Sequence, residues 1–256
     1  MGKRAKFIIS SASLSLGFIG INLLDEGMRI PAIGGLTLAT LILYFFALKE
    51  GIGRNATLLT LILPTMFTLG VGLFWFLLPT HIIARLPVLI FYAVGLYALA
   101  LTANIFTVST IRTIALARAA RGVGFILTLL TSFFLFDAIL SLRAMPFIVI
   151  PLIFTAAFPL LLQGLWVSML EKQLTRQVIT FALVLSLGIV EISALLYFWP
   201  VSVVVGSLFL TVGVYVLLGL GQSMLEERLF RRTFREYISV ALIVFIAVFL
   251  ATHWGG

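Results

Sequence analysis

The chain has 256 residues, 62% of them hydrophobic and only 10% charged, with a mean hydropathy of +1.24. That excludes a water-soluble main body, since soluble domains hold about 45–50% apolar and about 25% charged residues. The formal charge of +8 falls in short gaps between apolar runs rather than on one basic face, so no nucleic-acid partner is expected; with no cysteine, disulfides, thiolate metal sites and a cysteine nucleophile are excluded too.

Crossing a hydrocarbon core about 30 Å thick takes roughly 17–25 apolar residues at about 1.5 Å each. Nine runs qualify. The first, Phe7 to Leu24, follows Lys3, Arg4 and Lys6 and imitates a secretory signal. It ends Ile-Asn-Leu-Leu-Asp-Glu without a small-residue cleavage site, so a retained helix is expected. Next come Ile30 to Leu48, Thr57 to Leu78 and Ile82 to Phe106. Val123 to Leu142, Met145 to Leu170, Val178 to Trp199, Val201 to Leu220 and Tyr237 to His253 complete the set. Barrel strands would be about ten residues long with alternating polarity, so the expected fold class is all-α: a polytopic bundle forming one integral membrane domain.

Positive charge orients it. Alternate gaps hold Lys3, Arg4 and Lys6; Lys49 and Arg54; Arg112, Arg118 and Arg121; Lys172 and Arg176; and Arg228, Arg231, Arg232 and Arg235. The intervening gaps hold only Arg29, Arg85 and Arg143. Basic residues stay on the cytoplasmic side, which predicts a multi-pass protein of the plasma (inner) membrane of a prokaryote, N-terminus inside and C-terminus outside. Trp75, Trp199 and Trp254 at outer ends, and Trp166 with Tyr237 at inner ends, are expected to be interfacial rings.

A parallel internal repeat is also legible. Lys6, Arg29, Pro31, Arg54 and Pro79 correspond to Arg121, Arg143, Pro146, Arg176 and Pro200, at separations of 114 to 122 residues. The implied plan is four helices over 1–120, four over 121–236 and an extra helix over 237–253. Charges forced into similar gaps by topology would give a similar pattern.

Ionisable groups within spans are costly and ask for a reason. Asp137 and Glu191 are two such groups, at a similar depth, and form the candidate intramembrane polar site: a proton or cation site, or carboxyls paired with Arg85 or Arg143. His81 and His253 fall at outer ends without metal or haem spacing, and no span holds a lysine, so no catalytic, metal or cofactor site is expected. Asn22, Asn104, Gln163 and Gln222 suit a pathway or helix-to-helix bonding; Ser11, Ser13, Ser15 and Gly17, and Ser202 with Gly206, suit close packing. Pro64, Pro151 and Pro159 are expected to kink their helices.

Between the last two spans, Arg228, Arg231, Arg232 and Arg235 recur at i, i+3, i+4 and i+7 while Phe230, Phe234 and Tyr237 take another face. That predicts an interfacial helix on anionic lipid at the cytoplasmic face. In the same stretch Glu226, Glu227 and Arg231, with Phe249 and His253 beyond, resemble the EExxxR and FxxxH motifs of CAAX-type intramembrane proteases. The resemblance covers about thirty residues, has Arg232 where a glycine usually follows, and implies a water-activating Glu226 or Glu227 with His253 on metal or oxyanion. A continuous helix would hold Glu227 about 39 Å from His253. The reading that follows is a non-enzymatic membrane protein, transporter-like or a subunit packing with membrane-protein partners or its own copies; the alternative is an intramembrane enzyme.

Overall fold

The computed structural model describes residues 3–21, 24–48, 54–79, 82–109, 116–169 and 174–252. These form nine helices: α1 (Lys3–Ile21), α2 (Glu26–Leu48), α3 (Arg54–Trp75), α4 (Ile82–Ser109), α5 (Ala117–Ser141), α6 (Pro146–Met169), α7 (Arg176–Tyr197), α8 (Val203–Leu225) and α9 (Arg231–Ala251). Each is long and apolar enough to cross a membrane, and no strand occurs among the described residues. The protein is therefore an all-α, multi-pass membrane protein. In lipid a helix satisfies its backbone internally, and hydroxyls within the spans fold back onto the preceding turn, as Thr37 donates to Ile33 O, Thr131 to Leu127 O and Ser186 to Ala182 O.

The chain divides into two compact units, one running to Thr131 and the other from Ser132, so α5 contributes to both. In the first unit, α1 packs on α2, α2 on α3, α3 on α4, and α4 returns to α1. Phe18, Phe67, Trp75 and Tyr92 fill this ring. Phe18 meets Trp75 edge-on at 4.9 Å, and Phe67 stacks on Tyr92 at 6.0 Å. Gly95 admits the Phe67 ring: a Cβ there would lie 2.6 Å from Cζ. A polar seam runs through the same core. Tyr44 donates to Leu96 O at 2.7 Å, the Thr40 and Thr68 hydroxyls are 3.1 Å apart, and Tyr92 donates to Thr68 at 3.3 Å.

In the second unit, α6 packs on α7 and α8, α7 on α8, and α8 on α9. α9 is peripheral: Val248 is its one buried side chain. It is held by Tyr237, whose ring lies directly on Gly219, and by an aromatic cluster in which Trp199 meets Phe245 at 5.6 Å while its indole N–H donates to Thr252 at 2.9 Å.

Several expectations change. Trp75 and Trp166 are buried, at 5% and 1% exposure, because neighbouring helices enclose these rings instead of leaving them to the interface. No separate interfacial helix precedes α9. Met224 O accepts from the Glu227 N–H and Ser223 O from the Arg228 N–H, a Schellman closure of α8 with Glu227 left-handed at φ 56. Arg228 thus precedes the helix, and Arg231, Arg232 and Arg235 belong to the opening turns of α9 itself. Pro64 lies inside α3 and Pro151 and Pro159 inside α6, the positions at which kinks are expected. Asn22, Lys49, His81, Arg112, Lys172, His253 and Trp254 lie outside the described residues.

Candidate functional site

Asp137 lies one helical turn before the end of α5, on the face turned into the second unit, and is 4% exposed. Its Oδ1 accepts from the Ser207 hydroxyl of α8 at 3.0 Å. Neither Arg143 nor any other described basic group forms an ion pair with it; Arg85 lies in the first unit, with its guanidinium 5.1 Å from the centre of the Trp75 ring. Ser207 Oγ is also 3.0 Å from Val204 O. One hydroxyl proton cannot serve two acceptors fully, and this fixes what the group can do. An ionised Asp137 takes the Ser207 proton; a protonated Asp137 can donate to Ser207 Oγ, freeing the Ser207 proton for Val204 O. The carboxyl therefore has a partner in either protonation state.

Glu191 has a different fate. It sits on the exposed face of α7, between Leu187 and Leu195, which are 52% and 71% exposed. The buried face of that helix is Val178, Ala182, Ser186, Ile189, Ser193 and Leu196. The two acids therefore do not form a shared site, although both lie about 6 to 9 Å from the C-terminal ends of their helices.

Above Asp137 a cavity of about 510 Å³ opens where α5 and α7 end and α6 and α8 begin. Leu140 and Gly206 lie on its wall, one turn beyond Asp137 and beside Ser207 respectively. Arg143, Ser193 and Ser202 supply polar groups, and Val149, Ile150, Leu196 and Trp199 supply apolar ones. Arg143 is placed by the end of α5: its N–H reaches Leu140 O at 3.1 Å and its φ is 47. Ser202 caps α8, accepting from the Val205 N–H at 3.4 Å.

The chain matches, over residues 26–251, the family described as protein of unknown function, DUF5656. It belongs to that family. No curated protein and no solved structure matches it. All the cavity residues and Asp137 of this DUF5656 member lie inside the matched stretch, whereas α1 lies before it.

The remaining sequence candidates scatter. Gln222 bonds α8 to α6 through Gly164 O at 2.8 Å, a packing role, while Gln163 Oε1 is buried without a partner. Arg231, Arg232 and Arg235 gather with Glu236 and Ser239 at the start of α9, where Arg232 pairs with Glu236 at 3.0 Å; Arg228 pairs with Glu226 at 3.8 Å. Glu226 and Glu227 lie in the turn before α9 and Phe249 near its far end. The 21 residues of α9 span about 30 Å, so Glu226 and Glu227 are not brought together with Phe249, and His253 lies outside the described residues. No cluster of metal-ligating side chains occurs among the described residues. Ser193 and Ser207 escaped the sequence reading. A serine within an apolar span looks like any packing residue, and nothing in the sequence ties Ser207 to a carboxyl 70 positions away.

Proposed function

We propose that this protein is a transporter-like membrane protein in which Asp137 is the proton- or cation-coupling site beneath the cavity of the second unit. The supporting observation is the paired geometry of Asp137: a buried carboxyl with a hydrogen-bond partner in both protonation states, one turn below an open cavity. Intramembrane carboxyls that face a bundle interior or a cavity commonly mark proton and ion pathways. Glu191, on the outward face, is left to contact lipid, a membrane-protein partner or a second copy.

In this reading the protein lies in the plasma membrane of a prokaryote with its N-terminus in the cytoplasm, as the uneven sharing of basic residues between alternate gaps supports. The cavity then faces outward. Arg228, Arg231, Arg232 and Arg235 face the cytoplasmic leaflet, where anionic lipid would meet them beside Phe230 and Phe234. The four-plus-four-plus-one repeat is part of the same proposal. In that scheme α2–α3 corresponds to α6–α7, and each is the most extensively packed pair of its unit.

The test uses vesicles holding the purified protein and an entrapped pH indicator. Under an inward proton gradient, a panel of small organic solutes should yield at least one that acidifies the lumen beyond protein-free vesicles. Asp137→Asn should abolish that signal and Glu191→Gln should leave it. Acidification that survives Asp137→Asn removes the carboxyl from the mechanism.

A further inference from the structure

Three sets of donors with bonding capacity to spare lie at the wall of the second unit's cavity. Arg143 is exposed on its wall and makes no ion pair among the described residues. Ser193 is 2% exposed, lies on the same wall, and its Oγ has no hydrogen-bond partner. α8 begins there: Val203 and Val204 line the cavity, and while the Ser202 hydroxyl takes the Val205 N–H, the N–H groups of Val203 and Val204 open the helix without an intrahelical acceptor. Such an end carries partial positive charge and favours an anion. A buried hydroxyl without a partner is rare enough in a folded protein to ask for an occupant.

The surroundings narrow the class. No carboxylate is among the lining residues; Asp137 lies beneath Leu140 and Glu191 faces outward. The rest of the wall is largely hydrocarbon and aromatic, including Leu140, Val149, Ile150, Leu196 and Val201. A bare inorganic anion would leave that surface unused, and an uncharged apolar molecule would leave Arg143, Ser193 and the α8 amides unused. At about 510 Å³ the space falls within the usual range for a small organic ligand.

We infer that the cavity binds an anionic amphiphile, its carboxylate or phosphate head held by Arg143, Ser193 and the α8 N-terminus, and the first carbons of its chain against the apolar wall. The inference names a solute class for the transport reading and rests on it only for what happens after binding. Occupancy itself does not need Asp137.

Trp199 is on the wall and supplies the probe. The full-length protein in nanodiscs of zwitterionic lipid is titrated with a brominated long-chain carboxylate, with its uncharged methyl ester, and with inorganic phosphate as a competitor. The carboxylate should quench tryptophan fluorescence saturably, the ester should quench only as it does in a Trp199→Phe variant, and phosphate should displace the carboxylate poorly. Arg143→Asn should weaken binding at least about tenfold, as loss of a charge-assisted bond does, and asparagine tolerates the left-handed backbone at this position. Arg143→Lys should recover most of that loss.

Equal saturable quenching by ester and carboxylate would reduce the cavity to an apolar slot and overturn the proposal. Displacement by phosphate at concentrations similar to those of the carboxylate would make it a free-anion site and overturn the amphiphile class. Absence of saturable quenching, or unchanged affinity in Arg143→Asn, would also overturn it. Asp137→Asn should bind the carboxylate normally. Failure of coupling with intact binding therefore removes only the transport reading, and failure of binding removes only this one.

Discussion

In the first unit the hydroxyls of Thr40, Thr68 and Tyr92 bond one another and Tyr44 bonds a backbone carbonyl; in the second, Asp137 has a single serine and Ser193 has no partner. Within the ring of α1 to α4 this seam of Thr40, Thr68, Tyr92 and Tyr44 turns inward. The second unit instead keeps unspent hydrogen-bonding capacity next to a cavity. Polar groups that satisfy one another stiffen a bundle, whereas those with spare capacity are available to a ligand or a proton. The contrast separates residues that hold the fold from residues free to act.

The largest expected effect breaks or sharpens that contrast directly. Tyr92 is fully buried, stacked on Phe67, tilted against Phe18 at 4.8 Å and bonded to Thr68. Tyr92→Ala should cost about 3–5 kcal/mol, as large aromatic-to-alanine changes in cores do, read as reversible unfolding in mixed micelles. Asp137→Leu should change stability by less than about 1 kcal/mol, because an apolar replacement for a buried polar group is often neutral. If Asp137→Leu destabilises as much as Tyr92→Ala, the carboxyl belongs to the scaffold and the contrast is lost.

The next effect concerns closure. The first unit closes on itself, while α9 packs mainly on one helix, α8, through contacts that include Tyr237 on Gly219. Any side chain at 219 must displace that ring, so Gly219→Val should cost about 1–3 kcal/mol through overpacking. It should also open the α8–α9 turn to protease. Gly34→Val, where an added Cβ meets nothing within 4 Å, is the matched control and should leave the cleavage pattern unchanged. Equal sensitivity at both positions would mean that loss of glycine, not the Tyr237 contact, is responsible.

How much of this was legible in the sequence follows from what each property depends on. Span number and approximate ends follow from hydropathy alone. All nine helices overlap the expected runs, and α9 begins six residues earlier than Tyr237 because its arginine-rich opening turns are helical too. The rotation of each helix about its axis was not legible. Asp137 and Glu191 have similar depth and similarly apolar neighbours in sequence, yet one faces α8 and the other faces outward. Only packing with other helices decides that. Trp166 shows the same limit: an interfacial ring and a buried one look alike in sequence. Arg143 could be found as a lone basic residue in a short gap, but its cavity requires four helix ends to meet.

The smallest expected effect tests the first unit's side of the contrast. Tyr44 is 1% exposed and donates to Leu96 O on α4. Tyr44→Phe keeps the ring and removes one cross-helix bond. Leu96 O lies within α4 and keeps its place in the helix ladder, so no acceptor is stranded. The expected loss is therefore small, about 0.6 kcal/mol and no more than about 1.7 kcal/mol, the range seen for hydrogen bonds between membrane helices. Unfolding in mixed micelles resolves a change of that size if the Tyr44→Phe and wild-type midpoints are measured side by side. Thr40→Val and Tyr92→Phe both remove bonds to Thr68, so their double variant should lose less than the sum of the singles, because bonds in one network are not independent. Strictly additive losses would make the Thr40 and Tyr92 bonds to Thr68 separate contacts, and the first unit's polarity would then be a scatter of isolated bonds instead of a network that stiffens the ring.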